Sequence, residues 1–495
     1  MVEEDSQALP VAQQLESEQA KEDIKTIPTD DSVAVESGEE EMPSRSRSLA
    51  VLIEKEQKTE GNPPAIDDVR AIEIDKKLGH RQEEQSVPLV EESKKAPPIH
   101  LGSFKEESNK IDELSDSERI SLYELKRLVQ EEINANRFAA AEGNPDESRE
   151  SKPSIWGIPL LVDDRSDVVL LKFLRARDFK VNDALSMIKD TILWRAREGI
   201  DQIVSEELDE DWGHVVFMHG VDRQGHPVCY NVYGEFQNKE LYQKAFATEE
   251  KRVNFLKWRV QFLEKTIRKL DFNPGGVSTI FHVNDLKNSP GPGKRELRMV
   301  AKRALLILQD NYPEFVAKQV FINVPWWYIA FYTMLNPFLT QRMKSKFVFA
   351  SPARTPDALF KYIAPQQVPV QYGGLSVDSC DCNPEFTIND EATEITIKPG
   401  TKQTVEIIIY EQCEIVWELR VVGWEVTYSA EFVPDEKEAY PSILQRPIKK
   451  SSSDAPIESS SFKVSELGKI WLIVDNPSSK KKKLFYRYKV KPFPN

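Results

Sequence analysis

The sequence predicts a multidomain protein: a disordered acidic N-terminal tail, a small all-α unit, an α/β lobe and a C-terminal antiparallel β-sandwich. Three observations carry this reading. Residues 1–100 contain no Phe, Trp or Tyr and hold 24 Asp and Glu against 12 Lys and Arg. Between residues 205 and 376, short apolar runs alternate with amphipathic ones. Beyond residue 380 the runs are β-branched and aromatic, several with a period of two, and no good helix interrupts them. A chain of 495 residues also exceeds what one core organises comfortably.

The tail, residues 1–110, has too little apolar surface to offset the entropy of ordering it. It holds most of the net charge: −12 lies in the first hundred residues and −15 in the whole chain. The acidic pI of about 5.2 therefore describes the tail and does not argue against anionic partners. The helical unit is expected over 112–196. Ser115 and Glu118 form a capping-box start, and Leu122, Leu125, Val129 and Ile133 repeat at helical spacing. Asp167 is expected to cap a helix over 168–177, and Asn182 another carrying Leu185, Ile188 and Ile192 on one face.

The α/β lobe is expected over 205–376. Strands at 214–219 and 228–233 flank the turn Asp222–Gly225, and a basic helix spans 248–270. A strand at 277–286, a helix at 294–309, an apolar strand at 320–324, an aromatic helix at 325–339 and a strand at 347–350 follow. This alternation fits a sheet with crossover helices. The sandwich is expected over 380–492, with strands near 396–397, 405–410, 415–421, 424–432, 470–474 and 484–490. Trp417, Leu419 and Val421 share one face, and the phase then slips to Trp424, Val426 and Tyr428, placing a bend at Gly423. The Pro- and Ser-rich stretch 434–461 reads as a long loop.

Enzyme motifs are absent: there is no G-x-S-x-G, H-E-x-x-H or G-x-G-x-x-G, and the run Gly291–Arg295 lacks the rest of a P-loop. His214, His219, His226 and His282 read as structural residues of the strands. Cys229, Cys380, Cys382 and Cys413 are too few for a disulfide scaffold, and the C-x-C pair lacks a neighbouring His. No catalytic residue, metal or cofactor is expected. The opening Met-Val-Glu-Glu-Asp predicts no signal peptide, and no run reaches about 18 apolar residues, so any membrane contact is expected to be peripheral.

Three features point to a lipid. The segment 325–339 carries Trp326, Trp327, Ile329, Phe331, Met334 and Phe338 and is apolar nearly all round, so it faces protein core or another greasy partner. Tyr312 and Glu314 precede it, and Arg342, Lys344 and Lys346 follow it. A carboxylate and an ammonium beside an apolar cavity can hold a polar head while the cavity takes the chains. Finally, Lys480, Lys481, Lys482 and Lys483 fall between two strands, where an exposed hairpin tip would attract anionic lipid. No aromatic residues interleave with these lysines, so nucleic acid is not expected as a partner.

The run Leu170-Leu171-Lys172-Phe173-Leu174-Arg175-Ala176-Arg177, with Phe179 and Trp194-Arg195, resembles the N-terminal signature of CRAL-TRIO lipid-transfer proteins. Asn311-Tyr312-Pro313-Glu314, Phe321–Pro325 and Pro337-Phe338-Leu339 resemble their lipid-binding lobe, and Val368–Gly374 its closing segment. A sandwich after this module resembles a GOLD domain, and the whole order, over residues 112–492, resembles the plan of the plant patellins. The resemblance implies a CRAL-TRIO lipid-binding lobe with a bound phospholipid, and phosphoinositides and anionic membranes as partners. It also implies a peripheral role in trafficking, including cell-plate formation in division, from the cytoplasm to the plasma membrane, endosome or cell plate. Glu314 and Lys346 match the headgroup pair of the family's phosphatidylinositol binders, with Tyr312 and Arg177 in the adjoining motifs. Asp178 stands where those binders often carry Lys. The alternative is an adaptor that recruits trafficking proteins through the GOLD domain and the acidic tail, where Ser44, Ser46 and Ser48 offer phosphorylation sites.

Overall fold

The computed structural model describes residues 104–138, 153–208, 212–291, 293–325, 328, 340–377, 385–436 and 439–493. Helix α1 (Asp116–Asn134) opens with the expected capping box, in which Ser115 and Glu118 each satisfy the other's backbone N–H. Its stripe of Leu122, Leu125 and Val129 is buried. After the short hairpin of β1 (Ser154–Ile155) and β2 (Ile158–Pro159) comes α2 (Arg165–Ala176), whose residues 166–175 are all buried. Asp167 does not cap this helix. It lies within the first turn, buried against Lys126 at 2.7 Å, because the helix starts at Arg165. Helix α3 (Val181–Arg197) begins ahead of Asn182, with Lys180 at its N-cap. The single-turn α4 (Ile200–Ile203) completes the unit.

The lobe is a five-stranded sheet in the order β3 (Val216–Val221), β4 (Pro227–Val232), β5 (Ile280–Asp285), β6 (Val316–Ile322) and β7 (Phe347–Phe349). The first pair is antiparallel and joined by the Asp222–Gly225 turn; the rest are parallel. Parallel neighbours need long crossovers. The chain supplies α5 (Lys239–Phe246) and α6 (Glu249–Ile267), then α7 (Arg295–Asn311). Thr248 caps α6 by accepting from the Lys251 N–H. After β6, the crossover back to β7 runs through residues 323–346 and ends in the short helix α8 (Gln341–Ser345), capped by Thr340.

One sheet face packs α9 (Thr355–Tyr362) and the closing segment: Val228, Tyr230, Phe281, Val283 and Ile322 meet Leu359, Phe360, Val368 and Leu375. The closing segment needs its two glycines. Gly373 sits at φ 97°, and a Cβ on Gly374 would lie 2.0 Å from the Val368 carbonyl oxygen. At the far edge, Phe321, Phe347, Phe349 and Tyr328 form a contiguous aromatic cluster, with Phe321 and Phe349 stacked at 5.0 Å.

The C-terminal part is an antiparallel sandwich, as expected. One sheet runs in the order β13 (Glu458–Val464), β10 (Cys413–Val421), β15 (Lys482–Pro492) and β8 (Thr393–Ile397). The other runs β12 (Ser442–Lys450), β11 (Val426–Pro434), β14 (Gly468–Asn476) and β9 (Thr401–Ile409). The inward faces form one core, in which Trp417 donates its indole N–H to the Tyr428 hydroxyl at 3.1 Å across the two sheets. Gly423, at φ 76°, turns the chain from β10 in one sheet to β11 in the other. Two expectations change here. Residues 434–461 are not one long loop but carry the edge strands β12 and β13. The lysine run is not a hairpin tip, because β14 and β15 belong to opposite sheets.

Candidate functional site

The turn from α7 into β6 begins the site. Glu314 holds φ 54°, a left-handed conformation that costs a non-glycine residue about 1–3 kcal/mol. The turn is fixed from both sides. Lys172 of α2, fully buried, donates to the Glu314 carbonyl at 2.9 Å and to the Ser278 carbonyl at 2.8 Å. The Glu314 carboxylate accepts from Lys346 Nζ at 2.7 Å and from Arg342 Nε at 2.8 Å. These two cations stand on α8 and at its C-cap, directly ahead of the aromatic strand β7.

Two further cations converge. Arg175 lies three residues after Lys172, on the same face of α2. His226, at the start of β4, holds Asp222 through Nδ1 at 2.9 Å. Lys172, Arg175 and Lys346 thus line the cleft, and His226 and Arg342 join it by bonding to the lining residues Glu106, Glu107 and Glu314. Burial would raise the Glu314 carboxyl, but Lys346 and Arg342 outweigh it and hold it below the usual carboxylate range. Burial pushes Lys346 down against the pull of Glu314, and pushes Lys172 down to about 7 against Glu106 and Glu314.

Residues 104–110, assigned to the tail by composition, lie in this cleft instead. Glu106 bridges His226 Nε2 at 2.7 Å and the Thr279 hydroxyl at 2.8 Å. Glu107 takes both terminal nitrogens of Arg342, at 2.7 and 2.5 Å. Arg175 donates to the Asn109 side chain at 2.6 Å and the Ser108 carbonyl at 2.5 Å. The Phe104 ring covers Lys346 at 4.4 Å and Arg342 at 5.0 Å. This segment has no periodicity to announce it; it is held by side chains it meets only in the fold.

Burial would lower the His226 imidazole, but its bonds to Asp222 and Glu106 lift it to about 9. The contribution of this contact is therefore full below the ordinary histidine value of 6.5 and is lost as pH rises through about 9. In histidine-labelled protein, the His226 ring resonances are expected to titrate near that upper value. Titration at the ordinary value would show that Glu106 does not hold the ring.

The other expected site residues fall in different places. Tyr312 donates its hydroxyl to Glu264 at 2.7 Å, inside a buried group with Arg195. Arg177 turns back on the Ala176 carbonyl at 3.4 Å, and it does not line the cleft; Asp178 is exposed and also lies outside that lining. Trp326, Trp327, Ile329, Phe331, Met334 and Phe338 lie outside the described residues. Lys480 and Lys481 are exposed, while Lys482 and Lys483 belong to β15, where Lys483 pairs with Glu394. Sequence reasoning missed Lys172, Arg175, Thr279, Glu106 and Glu107 and read His226 as structural. A signal existed for the first two: cations three residues apart inside a run of Val, Leu and Phe must find buried partners. Among the described residues, no group of His, Cys, Asp or Glu could hold a metal ion.

Comparisons with known proteins agree with this architecture. Three family models match: "CRAL/TRIO, N-terminal domain" over residues 121–190, "CRAL/TRIO domain" over 211–374, and "Patellin-1-like, C-terminal GOLD domain" over 398–482. The chain is 64% identical to Patellin-3 of Arabidopsis thaliana over 412 residues, which is 83% of this chain and 82% of that protein. It is 59% identical to Patellin-5 of the same plant over 84% of this chain and 60% of that one. Phosphatidylinositol transfer protein SFH5 of Meyerozyma guilliermondii is 30% identical over 41% of this chain and 62% of its own length. The crystal structure of Sfh5 aligns with a TM-score of 0.43 at 22% identity, covering 54% of this chain and 89% of that one.

Proposed function

The chain belongs to the patellin family, with a CRAL-TRIO lipid-binding lobe followed by a GOLD domain, and from that premise we propose that it is a phosphoinositide-binding lipid carrier or presenter. It acts peripherally at membranes in vesicle trafficking, including cell-plate formation during division. One observation carries the reading: the ion-paired group of Glu314, Arg342 and the buried Lys346 comes directly before the strand that carries Phe347 and Phe349 of the aromatic cluster. Cations beside an apolar wall suit a ligand with a phosphorylated head and acyl chains. Glu314 orients the two cations, and Lys346 and Arg342 meet the phosphate. The name of the phosphatidylinositol transfer relative is consistent with this class of ligand.

Among the described residues no helix is long and apolar enough to cross a membrane. The exposed Lys480 and Lys481 supply surface attraction, at about 1 kcal/mol per charge near anionic lipid, and this attraction weakens with salt.

Lys346→Ala tests the headgroup assignment. Arg342 still pairs with Glu314 in this variant, so the fold is expected to survive, as near-ultraviolet circular dichroism would show. Losing one charge-assisted bond of about 1.5–3 kcal/mol should weaken binding to phosphoinositide-containing phosphatidylcholine vesicles by about tenfold or more. Binding to pure phosphatidylcholine vesicles should not change. A folded variant that binds and transfers phosphoinositide as well as wild type would refute the assignment.

A further inference from the structure

Every cation of the cleft is engaged, and most of the partners come from the chain's own acidic segment. Glu106 and Glu107 lie on His226 and Arg342, Phe104 covers Lys346, and Ser108 with Asn109 takes Arg175. Between this segment and the lobe remains a cavity of about 10 Å³, lined by residues that include Glu106, Lys172, Arg175, Thr279, Glu314 and Lys346. That is room for about one water molecule and not for a phosphate group. A carboxylate and a phosphate present the same chemistry to Arg, Lys and protonated His: anionic oxygens that accept charge-assisted hydrogen bonds.

We propose that residues 104–110 are a resident pseudo-ligand, whose carboxylates occupy the cationic cleft in place of a phosphorylated headgroup, so that headgroup binding and release of this strap are one exchange. The proposal rests on the headgroup reading above and adds its regulation. Two features suit the strap to leaving. The Glu106 and Glu107 side chains are 33% and 41% exposed, so they sit at the mouth of the cleft rather than in the core. Downstream, the capping box at Ser115 anchors α1 independently of the cleft. Glu314 is not part of the exchange, because its left-handed turn and its bonds to Lys346 and Arg342 belong to the lobe. A site open in only a fraction of molecules binds with its affinity reduced by that fraction. Acidic residues on the strap therefore set the threshold at which a membrane surface can load the lobe.

The test uses the full chain with Glu106→Ala and Glu107→Ala together. Its control is Glu124→Gln with Glu131→Gln, which makes the same charge change on the exposed face of α1, where both residues pair with Arg127. Binding is titrated with phosphatidylcholine vesicles containing a phosphoinositide, and separately with inorganic phosphate. The strap variant is expected to bind the vesicles about tenfold tighter, the gain for a site open about a tenth of the time, while the control stays within about twofold of wild type. In wild type, hydrogen exchange at residues 104–110 is expected to speed up when the phosphoinositide vesicles are added and not when neutral vesicles are. A gain with inorganic phosphate alone would make the released site a free-anion site and overturn the lipid exchange. Equal binding by the strap variant and the control would overturn the proposal, as would strap amides that stay protected in vesicle-bound protein. Adding Lys346→Ala to both backgrounds separates the two readings. If it weakens binding about tenfold or more but the strap variant is neutral, the headgroup site stands and the strap falls; if it has no effect, both fall.

Discussion

Arg195→Ala is expected to destabilise the lobe by about 3–5 kcal/mol, the range for a buried ion pair that loses one partner. The Arg195 side chain is 2% exposed and that of Glu264 is fully buried. Arg195 donates to both Glu264 oxygens, at 2.6 and 3.0 Å, and to Asp201 at 2.7 Å. Once the guanidinium is gone, Glu264 keeps the Tyr312 hydroxyl and an Arg268 nitrogen 3.9 Å away, too little to replace a bidentate partner. Burial and the neighbouring Glu264 charge already hold the Tyr312 phenol well above its ordinary value, so it stays a donor throughout the working pH range. The measurement is urea denaturation followed by a lobe signal such as tryptophan fluorescence. Replacing both partners, Arg195→Met with Glu264→Leu, should recover much of the loss, because the cost comes from the orphaned charge rather than from the lost attraction. A single variant within about 1 kcal/mol of wild type would mean that water reaches Glu264, and the buried description would fail. The effect extends to the cleft: Tyr312 stands two residues before Glu314, so the group that fixes its ring also fixes the turn that presents the carboxylate.

Which parts of this architecture could be read from the sequence follows from the kind of force that holds each part. The capping box of Ser115 and Glu118 and the even-numbered face of Trp424, Val426 and Tyr428 were legible because local bonding and period-two burial write themselves into neighbouring residues. Strands β12 and β13 were not legible. Each lies at a sheet edge, where SILQRPIKK and ESSSFKV meet solvent, so they carry Lys, Ser and a proline instead of an apolar alternation. The lysine run misled for a related reason: two strands adjacent in sequence here belong to opposite sheets, and no local signal marks the switch. In the site, Glu314 and Lys346 stood out through their motif neighbours, whereas Glu106 and Glu107 looked like any acidic pair in an acidic tail. Their role comes from contacts 120 and 235 residues away in the chain, with His226 and Arg342, which composition does not record.

Arg420→Ala is expected to loosen the sandwich from the lobe while leaving both folded. Arg420 reaches from β10 to the closing segment of the lobe, donating to the Val370 carbonyl at 2.8 Å and the Gly374 carbonyl at 2.6 Å. Burial pushes its guanidinium down to about 10, still charged at neutral pH. Nearby, Phe485 of β15 meets Phe360 of α9 edge-on at 4.6 Å, and Gln367 donates to the Ile388 carbonyl at 3.0 Å. Two bonds to a charged donor are worth about 1.5–3 kcal/mol each, and Val370 keeps the Gly373 N–H as a partner, so the net cost is set at about 2–4 kcal/mol. In calorimetry this should appear as a separation of the sandwich and lobe transitions, with the lobe shifted down by about 4–16 °C, at about 2–4 °C per kcal/mol for a domain of this size. Both bonds leave one nitrogen, Nη1, so Arg420→Lys, whose ammonium can also donate twice but does not reach as far as Nη1, should recover part of the loss. If the variant melts as wild type does, the contact is incidental. If the prediction holds, Gly374 acquires a second reason to be glycine: a Cβ there would strike Val368 and displace the carbonyl through which Arg420 ties the sandwich to the lobe.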